Sequence, residues 1–195
     1  MKDVPIIFSA PMVRALIDGR KTMTRRLRWV GKLAADGKGF RESVWGRVKP
    51  GDRLWVRENF SGPFDIQEPP KEWPRTTDIW YWADGNPMIG DWQKPRPSIH
   101  MPRQFSRLTL TVTATKVERL QEITEIDAIA EGFKRWTGEP DLPGEVHYDA
   151  ARDWFSDLWE DLHSVESWRA NPDVVALSFR VAKINIDEIL SAGRT

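Results

Sequence analysis

Leu108-Thr109-Leu110-Thr111-Val112-Thr113-Ala114-Thr115 alternates an aliphatic residue with a threonine over its whole length. Successive side chains of a strand point to opposite faces, so this run predicts a strand with one aliphatic face and one threonine face. Such a strand suits a small barrel or a half-covered sheet. Other runs join it. Leu54 to Glu58 reads as a strand with Leu54 and Val56 on one face and Trp55 and Arg57 on the other, and it follows a type II turn at Lys49-Pro50-Gly51-Asp52. Val174 to Val181 reads as a buried strand, Val4 to Phe8 as a short one, and Val44 to Val48 as another.

Helical spacing appears between these runs. Ser9 precedes Met12, Val13, Leu16 and Ile17, and Asp18-Gly19 ends that helix. Thr124 caps a second helix, with Asp127 as a weak capping-box partner and Gly132 as its stop. Tyr148 to Leu162 is amphipathic, with Ala151, Trp154, Phe155, Leu158 and Leu162 on one side. Residues 31–43 and 134–148 read as loops, 164–172 as a connector, and Ile184 to Leu190 as a closing segment. There is no βαβ regularity, no repeat, no GxGxxG and no P-loop. The expectation is α+β: a small, mostly antiparallel barrel containing residues 52–57, 108–115 and 174–181, with short helices at its openings. Residues 1–195 form one domain, and the Pro- and Trp-rich stretch 61–97 is an insertion too proline-broken for its own core.

Composition narrows the chemistry. The 29 basic and 29 acidic residues cancel, which argues against a bulk polyanion binder but leaves room for local basic patches. Without cysteine there is neither a disulfide framework nor a thiolate metal site. His100, His147 and His163 show no ligand spacing, so no metal and no cofactor are expected. No run approaches the roughly 18 apolar residues of a membrane span, and the N-terminus is not a signal peptide, so the expected compartment is the cytoplasm. Eleven tryptophans against two tyrosines leave two readings open, a Trp-rich core or stacking surfaces for bases.

One stretch concentrates charge: Gly19-Arg20-Lys21-Thr22-Met23-Thr24-Arg25-Arg26. Its cations suit the negative end of the preceding helix, and equally a phosphate clamp. Glu131 stands out for the opposite reason: it falls in the last turn of its helix, where a carboxylate is disfavoured.

GRKTMTRR, KPGDRLWVRE, RPSIHMPR, VERLQEITEIDAIAEGF and ANPDVVALSFRV together resemble the ASCH-domain proteins of the PUA-like superfamily, in particular a subgroup common in bacteriophage and prophage genomes. The resemblance spans residues 5–185. It implies a small β-barrel with helices at its openings, a cleft for RNA or a nucleoside and, if the chain is phage-encoded, a host-cytoplasm location. One branch of the family consists of amidohydrolases that remove the acetyl group from N4-acetylcytidine with a lysine and a threonine of a GRKTxT motif and a helical glutamate. The resemblance puts those roles on Lys21, Thr24 and Glu131. Arg20, Arg25, Arg26, Trp55, Arg57, His100 and Arg103 are candidate substrate- or nucleic-acid-binding residues on the reading of the residues themselves. The small amidohydrolases lack an insertion like 61–97.

Residue chemistry permits the same roles without selecting them. Thr24 is a possible nucleophile if Lys21 accepts its proton, which requires burial or neighbouring cations to lower the lysine pKa. A nearby Glu131 acts in the opposite direction. On a regular strand residues 21 and 24 face opposite sides, so a shared site needs a turn or bulge. The competing expectations are an amidohydrolase on N4-acylated cytidine, a non-catalytic module binding single-stranded RNA or a modified base, and a ribonuclease, disfavoured by the absence of a two-histidine arrangement. Oligomeric state is not legible.

Overall fold

The computed structural model describes residues 1–31, 41–135 and 150–192. Its elements run in the order β1 (Asp3–Ile7), α1 (Ala10–Ile17), β2 (Met23–Leu27), β3 (Trp29–Val30), β4 (Arg41–Glu42), β5 (Arg53–Arg57), β6 (Phe60–Ser61), β7 (Trp80–Tyr81), β8 (Thr109–Arg119), α2 (Glu125–Ala130), α3 (Ala151–His163), α4 (Val165–Ala170), β9 (Asp173–Ala182) and α5 (Ile186–Ala192). The class is α+β. The main sheet is mixed and mostly antiparallel, in the order β1-β5-β8-β9-β2, with β1 parallel to β5. Among the described residues no pairing joins its outer strands into a closed barrel. The chain divides into two compact units, Met1–Gly19 with Gly51–Val112 and Arg180–Thr195, and Arg20–Pro50 with Thr113–Phe179.

In the first unit, Leu54 faces Val4 on one side and Leu110 on the other, and Leu54 and Leu110 are fully buried. The aliphatic face of the alternating run is therefore core through Val112. Thr109 breaks the two-face expectation: it is buried, and its hydroxyl donates to the Ile184 carbonyl at 2.9 Å. Gly51, at φ +89°, supplies the positive φ that the third position of the Lys49–Asp52 turn needs. Helix α1 buries Val13 and Leu16, and Gly19 leaves it at φ +75°. Ser9 holds the N-cap position without a side-chain capping bond.

The stretch 61–97 is anchored on residues outside it. Trp73 packs with Phe60, Met101 and Phe105, its indole donating to the Glu68 carbonyl at 2.7 Å. Trp80–Tyr81 forms a short strand within it, paired antiparallel with Phe60–Ser61.

In the second unit, β2 runs antiparallel to β9, with Thr24 opposite Leu177 and Arg25 opposite Ala176. Leu120, Ile123, Ala128, Phe155, Trp159 and Val174 form its core. Thr124 caps α2 as expected, its hydroxyl accepting from Asp127 N at 3.1 Å. Helix α3 lacks a side-chain cap of its own; the Glu125 carboxylate accepts from Ala151 N and Arg152 N at 2.5 and 3.2 Å instead.

Three local expectations are corrected here. Val44–Arg47 is a 3-10 turn rather than a strand, with Val48 N returning to the Trp45 carbonyl. The buried face of α3 uses Trp159, while Leu162 is 52% exposed. The connector 164–172 contains helix α4, ended by Asn171 in the left-handed region. Of the expected loops, 32–40 and 136–148 lie outside the described residues, as do Tyr148 and His147; Arg41 and Glu42 pair with Val30 and Trp29.

Candidate functional site

Arg20–Thr22 of the charged stretch lie ahead of regular strand, and Met23–Arg26 belong to β2. Lys21 makes a single antiparallel bridge to Glu131. Thr22 N donates to the Ala130 carbonyl at 2.8 Å, and the Thr22 carbonyl accepts from Phe179 N at 2.9 Å. The backbone at 21–22 is thus tied to the end of α2 and to β9 before β2 begins.

This places the Lys21 ammonium at the C-terminus of α2. Its Nζ lies 2.8 Å from Glu131 Oε2 and 2.8 Å from the Glu131 carbonyl oxygen. Lys21 is 0% exposed and Glu131 4%. The other carboxylate oxygen, Oε1, accepts from Arg25 Nη1 at 3.2 Å. Arg25 is itself surrounded: Nη2 donates to Glu118 Oε1 at 2.7 Å and to Asp127 Oδ2 at 2.8 Å, and its guanidinium lies 5.8 Å from the centre of the Phe155 ring. Lys116 closes the row, 2.5 Å from Glu118 Oε2.

Glu131, disfavoured on helix grounds alone, is therefore matched by two cations. Lys21, Arg25 and Lys116 face Glu118, Asp127 and Glu131, three charges of each sign. A buried ion pair survives its desolvation penalty only when its geometry is good and its remaining lone pairs and protons are bonded. Both conditions hold for the carboxylate of Glu131.

Burial is the largest influence on Lys21 and pushes its pKa down. Glu131 opposes this; Arg26 and Arg25 reinforce it, and the outcome lies below the ordinary lysine value. Arg26 stacks on Trp45 at 5.7 Å, and burial lowers its pKa against the opposing charge of Glu131. Thr24 is 4% exposed. By strand alternation it shares a face of β2 with Arg26, opposite to Arg25. Arg20 donates to the Gly132 carbonyl at 2.7 Å.

The structure thus brings Lys21, Glu131 and Arg25 into direct contact, with Arg26 close enough to influence Lys21. Two participants were not among the expected site residues: Glu118 and Asp127. Asp127 had a signal, since it stands four residues before Glu131 on α2 and so shares its face. Glu118 had none, because 93 positions separate it from Arg25.

The remaining expected residues belong to the first unit. Arg57 lies 5.2 Å over the Trp55 ring and donates to the Ile99 carbonyl, and both side chains are half-buried. His100 is exposed at the end of a 3-10 turn. Arg103 donates to Asp187 at 2.8 Å and to Asp3 at 2.6 Å. Arg53 shares Asp3, and Arg75 shares Asp187, so the charge of Arg103 is already matched inside this unit.

Among the described residues no group of histidine, aspartate and glutamate is arranged to hold a metal ion, and no helix is long and apolar enough to cross a membrane. The chain matches no protein-family model, no curated protein and no solved structure.

Proposed function

We propose that this chain is an ASCH-type protein of PUA-like barrel ancestry that removes the acyl group from N4-acetylcytidine-type substrates. Thr24 is the nucleophile, Lys21 the proton carrier, and Glu131 the residue that holds Lys21. The observation that carries this reading is the Lys21 ammonium, fully buried, fixed by two 2.8 Å bonds to Glu131 and lowered in pKa. A lysine prepared in this way exchanges protons more readily near neutral pH than an exposed one.

In the proposed reaction Lys21, once its ammonium has given up a proton, takes the Thr24 hydroxyl proton as Oγ1 bonds to the acyl carbon. The carbonyl π electrons move to oxygen. When the tetrahedral centre collapses, the C–N4 bond breaks and N4 takes the proton from the Lys21 ammonium, leaving cytidine and an acyl-threonine. Water then attacks the ester with Lys21 accepting its proton, and acetate leaves as the proton returns to Thr24. The net change is one amide and one water converted to an amine and a carboxylic acid.

The phosphate-clamp alternative weakens on the same geometry. Engaging a phosphate with Lys21 or Arg25 means breaking a buried charge pair, which costs about 3–5 kcal/mol, more than a typical charged hydrogen bond of about 1.5–3 kcal/mol gives back. A non-catalytic module for single-stranded RNA remains the second reading. It is favoured by the half-buried Trp55–Arg57 pair, which offers a ring and a cation on one strand face. Incubation with N4-acetylcytidine and chromatography for cytidine and acetate separates the two. Release of both products supports the amidohydrolase; unchanged substrate at high protein concentration transfers the assignment to the binding module.

A further inference from the structure

The second unit holds a cavity of about 730 Å³ that the proposed reaction does not use. Leu27, Val30 and Pro172 give it apolar walls, and Trp29, Arg119 and Asp173 line it as well. Its volume falls within the range of small-molecule sites, and its composition follows their rule of apolar walls with a few placed polar groups.

The walls are built rather than incidental. Arg28 N donates to the Asp173 carbonyl at 3.0 Å, and the Ser43 hydroxyl donates to the Leu27 carbonyl at 2.7 Å, which fixes one side. On the other, Gln121 holds the end of α4 twice. Its N donates to Asn171 Oδ1 at 2.8 Å and its Nε2 to the Trp168 carbonyl at 2.8 Å. Leu120 N adds a bond to the Pro172 carbonyl at 3.0 Å.

Trp29 is 41% exposed although it lines this cavity, and Arg28 packs over its ring at 5.0 Å. Among the described residues the Asp173 carboxylate receives long contacts, from Trp29 Nε1 to Oδ2 and, as an ion pair, from Arg119 Nη1 to Oδ1, both at 3.4 Å. Each carboxylate oxygen therefore keeps acceptor capacity beside an aromatic wall. Two adjacent acceptors next to a stacking ring match a base with two adjacent N–H donors on its pairing edge. Guanine, with its N1–H and N2 amino group, is that base. The carboxylate repels a phosphate from the cavity itself, so the cavity suits a base rather than its phosphate.

We infer that this cavity is a guanine pocket, with Trp29 as its stacking wall and Asp173 as its reader of the N1–H and N2–H donors. It gives the protein a base-binding site independent of the acyl-transfer reading, because none of its residues belongs to the Lys21 site.

The probe is guanosine 5′-monophosphate, titrated calorimetrically into the whole protein beside inosine and adenosine 5′-monophosphates. Guanosine monophosphate is expected to bind at least about tenfold more tightly than either, inosine lacking the N2 donor and adenine both donors. Trp29→Ala should weaken it roughly tenfold or more, Trp29→Phe should restore most of that loss, and Asp173→Asn should remove the preference for guanine over adenine. Thermal midpoints of the variants check the fold, and the Phe variant keeps the test valid should the Ala variant unfold. Guanosine monophosphate that fails to bind at millimolar concentration, binds no better than the adenosine nucleotide, or binds unchanged in Trp29→Ala overturns the proposal. N4-acetylcytidine turnover by Trp29→Ala should equal wild type, so loss of one reading leaves the other standing.

Discussion

Lys21 Nζ and Glu131 Oε2 lie 2.8 Å apart with both side chains closed off from solvent. Each is a reason for the other's place: the lysine matches a carboxylate at the negative end of α2, and the carboxylate offsets the burial of an ammonium. Helix-dipole reasoning alone expects Glu131→Gln to relieve an unfavourable charge and stabilise the fold slightly. The pairing reverses that expectation. Glu131→Gln leaves Lys21 and Arg25 buried with less compensation and should destabilise the protein by about 3–5 kcal/mol, read from urea unfolding. The double change Lys21→Met with Glu131→Leu removes both charges and should recover most of that loss. A Glu131→Gln protein as stable as wild type excludes the pair as a structural element.

Lys21 also gives a signed pH dependence. Its pKa lies lower in the folded state than the ordinary value of 10.5. Between those two values the unfolded chain holds a proton that the folded chain has released, so stability rises with pH across that window. Wild type compared with Lys21→Met should show this rising component on the alkaline side, ending near pH 10.5. A component of opposite slope, or none, contradicts the lowered pKa.

The strands were legible wherever one face is buried and the other is not. Leu54 and Val56 against Trp55 and Arg57, and Leu110 and Val112 against Thr111 and Thr113, follow the period-two rule because burial differs between the two faces, with the buried Thr109 as the exception. Val44 to Val48 misled for the converse reason: apolar content without a partner strand, followed by the Lys49–Asp52 turn, leaves a 3-10 turn. In α3 the partners of the helix decided the buried stripe, taking Trp159 to the core and leaving Leu162 in solvent. Lys21 and Glu131 were legible as an anomaly in one helix and a motif in one loop. Asp127 left only its helical spacing to Glu131, and Glu118 was not legible, since long-range ion pairing leaves no periodic trace in a sequence.

The first unit offers a packing test. A Cβ on Gly62 would sit 2.4 Å from Cη2 of Trp73, inside a cluster where that indole meets Phe60 and Phe105 at centroid distances of 6.1 Å. Gly62→Ala should therefore destabilise by about 1–3 kcal/mol through overpacking. Adding Trp73→Phe removes the clashing atoms and should give less than the sum of the two single effects in a double-mutant cycle. Additive losses would show that Gly62 tolerates a methyl group there.

Arg103 separates a structural cation from a ligand-binding one. Asp3 and Asp187 both hold its guanidinium, so Arg103→Ala should lower stability while leaving the salt dependence of oligonucleotide binding unchanged. A flatter salt slope in the variant, measured by anisotropy with a labelled single strand, places Arg103 against phosphate instead.

Thr24 carries the sharpest functional prediction, because its replacement can be made almost without a change of shape. Thr24 is buried in β2 opposite Leu177, and valine keeps its volume, its branching and its strand preference. Thr24→Val should accordingly fold with stability within roughly 1–2 kcal/mol of wild type, and the 2.8 Å contact of Lys21 with Glu131 needs nothing from the hydroxyl. If the hydroxyl is the nucleophile, hydrolysis of N4-acetylcytidine falls to the uncatalysed rate while affinity for the nucleoside is kept, and no acyl-protein forms when the substrate is in excess. Intact mass spectrometry of quenched wild-type reactions provides the companion measurement: an added acetyl group, mapped by digestion to Thr24 and missing from the valine variant. Lys21→Ala cannot substitute for this test, since it strands the Glu131 carboxylate and confounds chemistry with folding. Wild-type turnover by a folded Thr24→Val protein would remove the covalent route through Thr24.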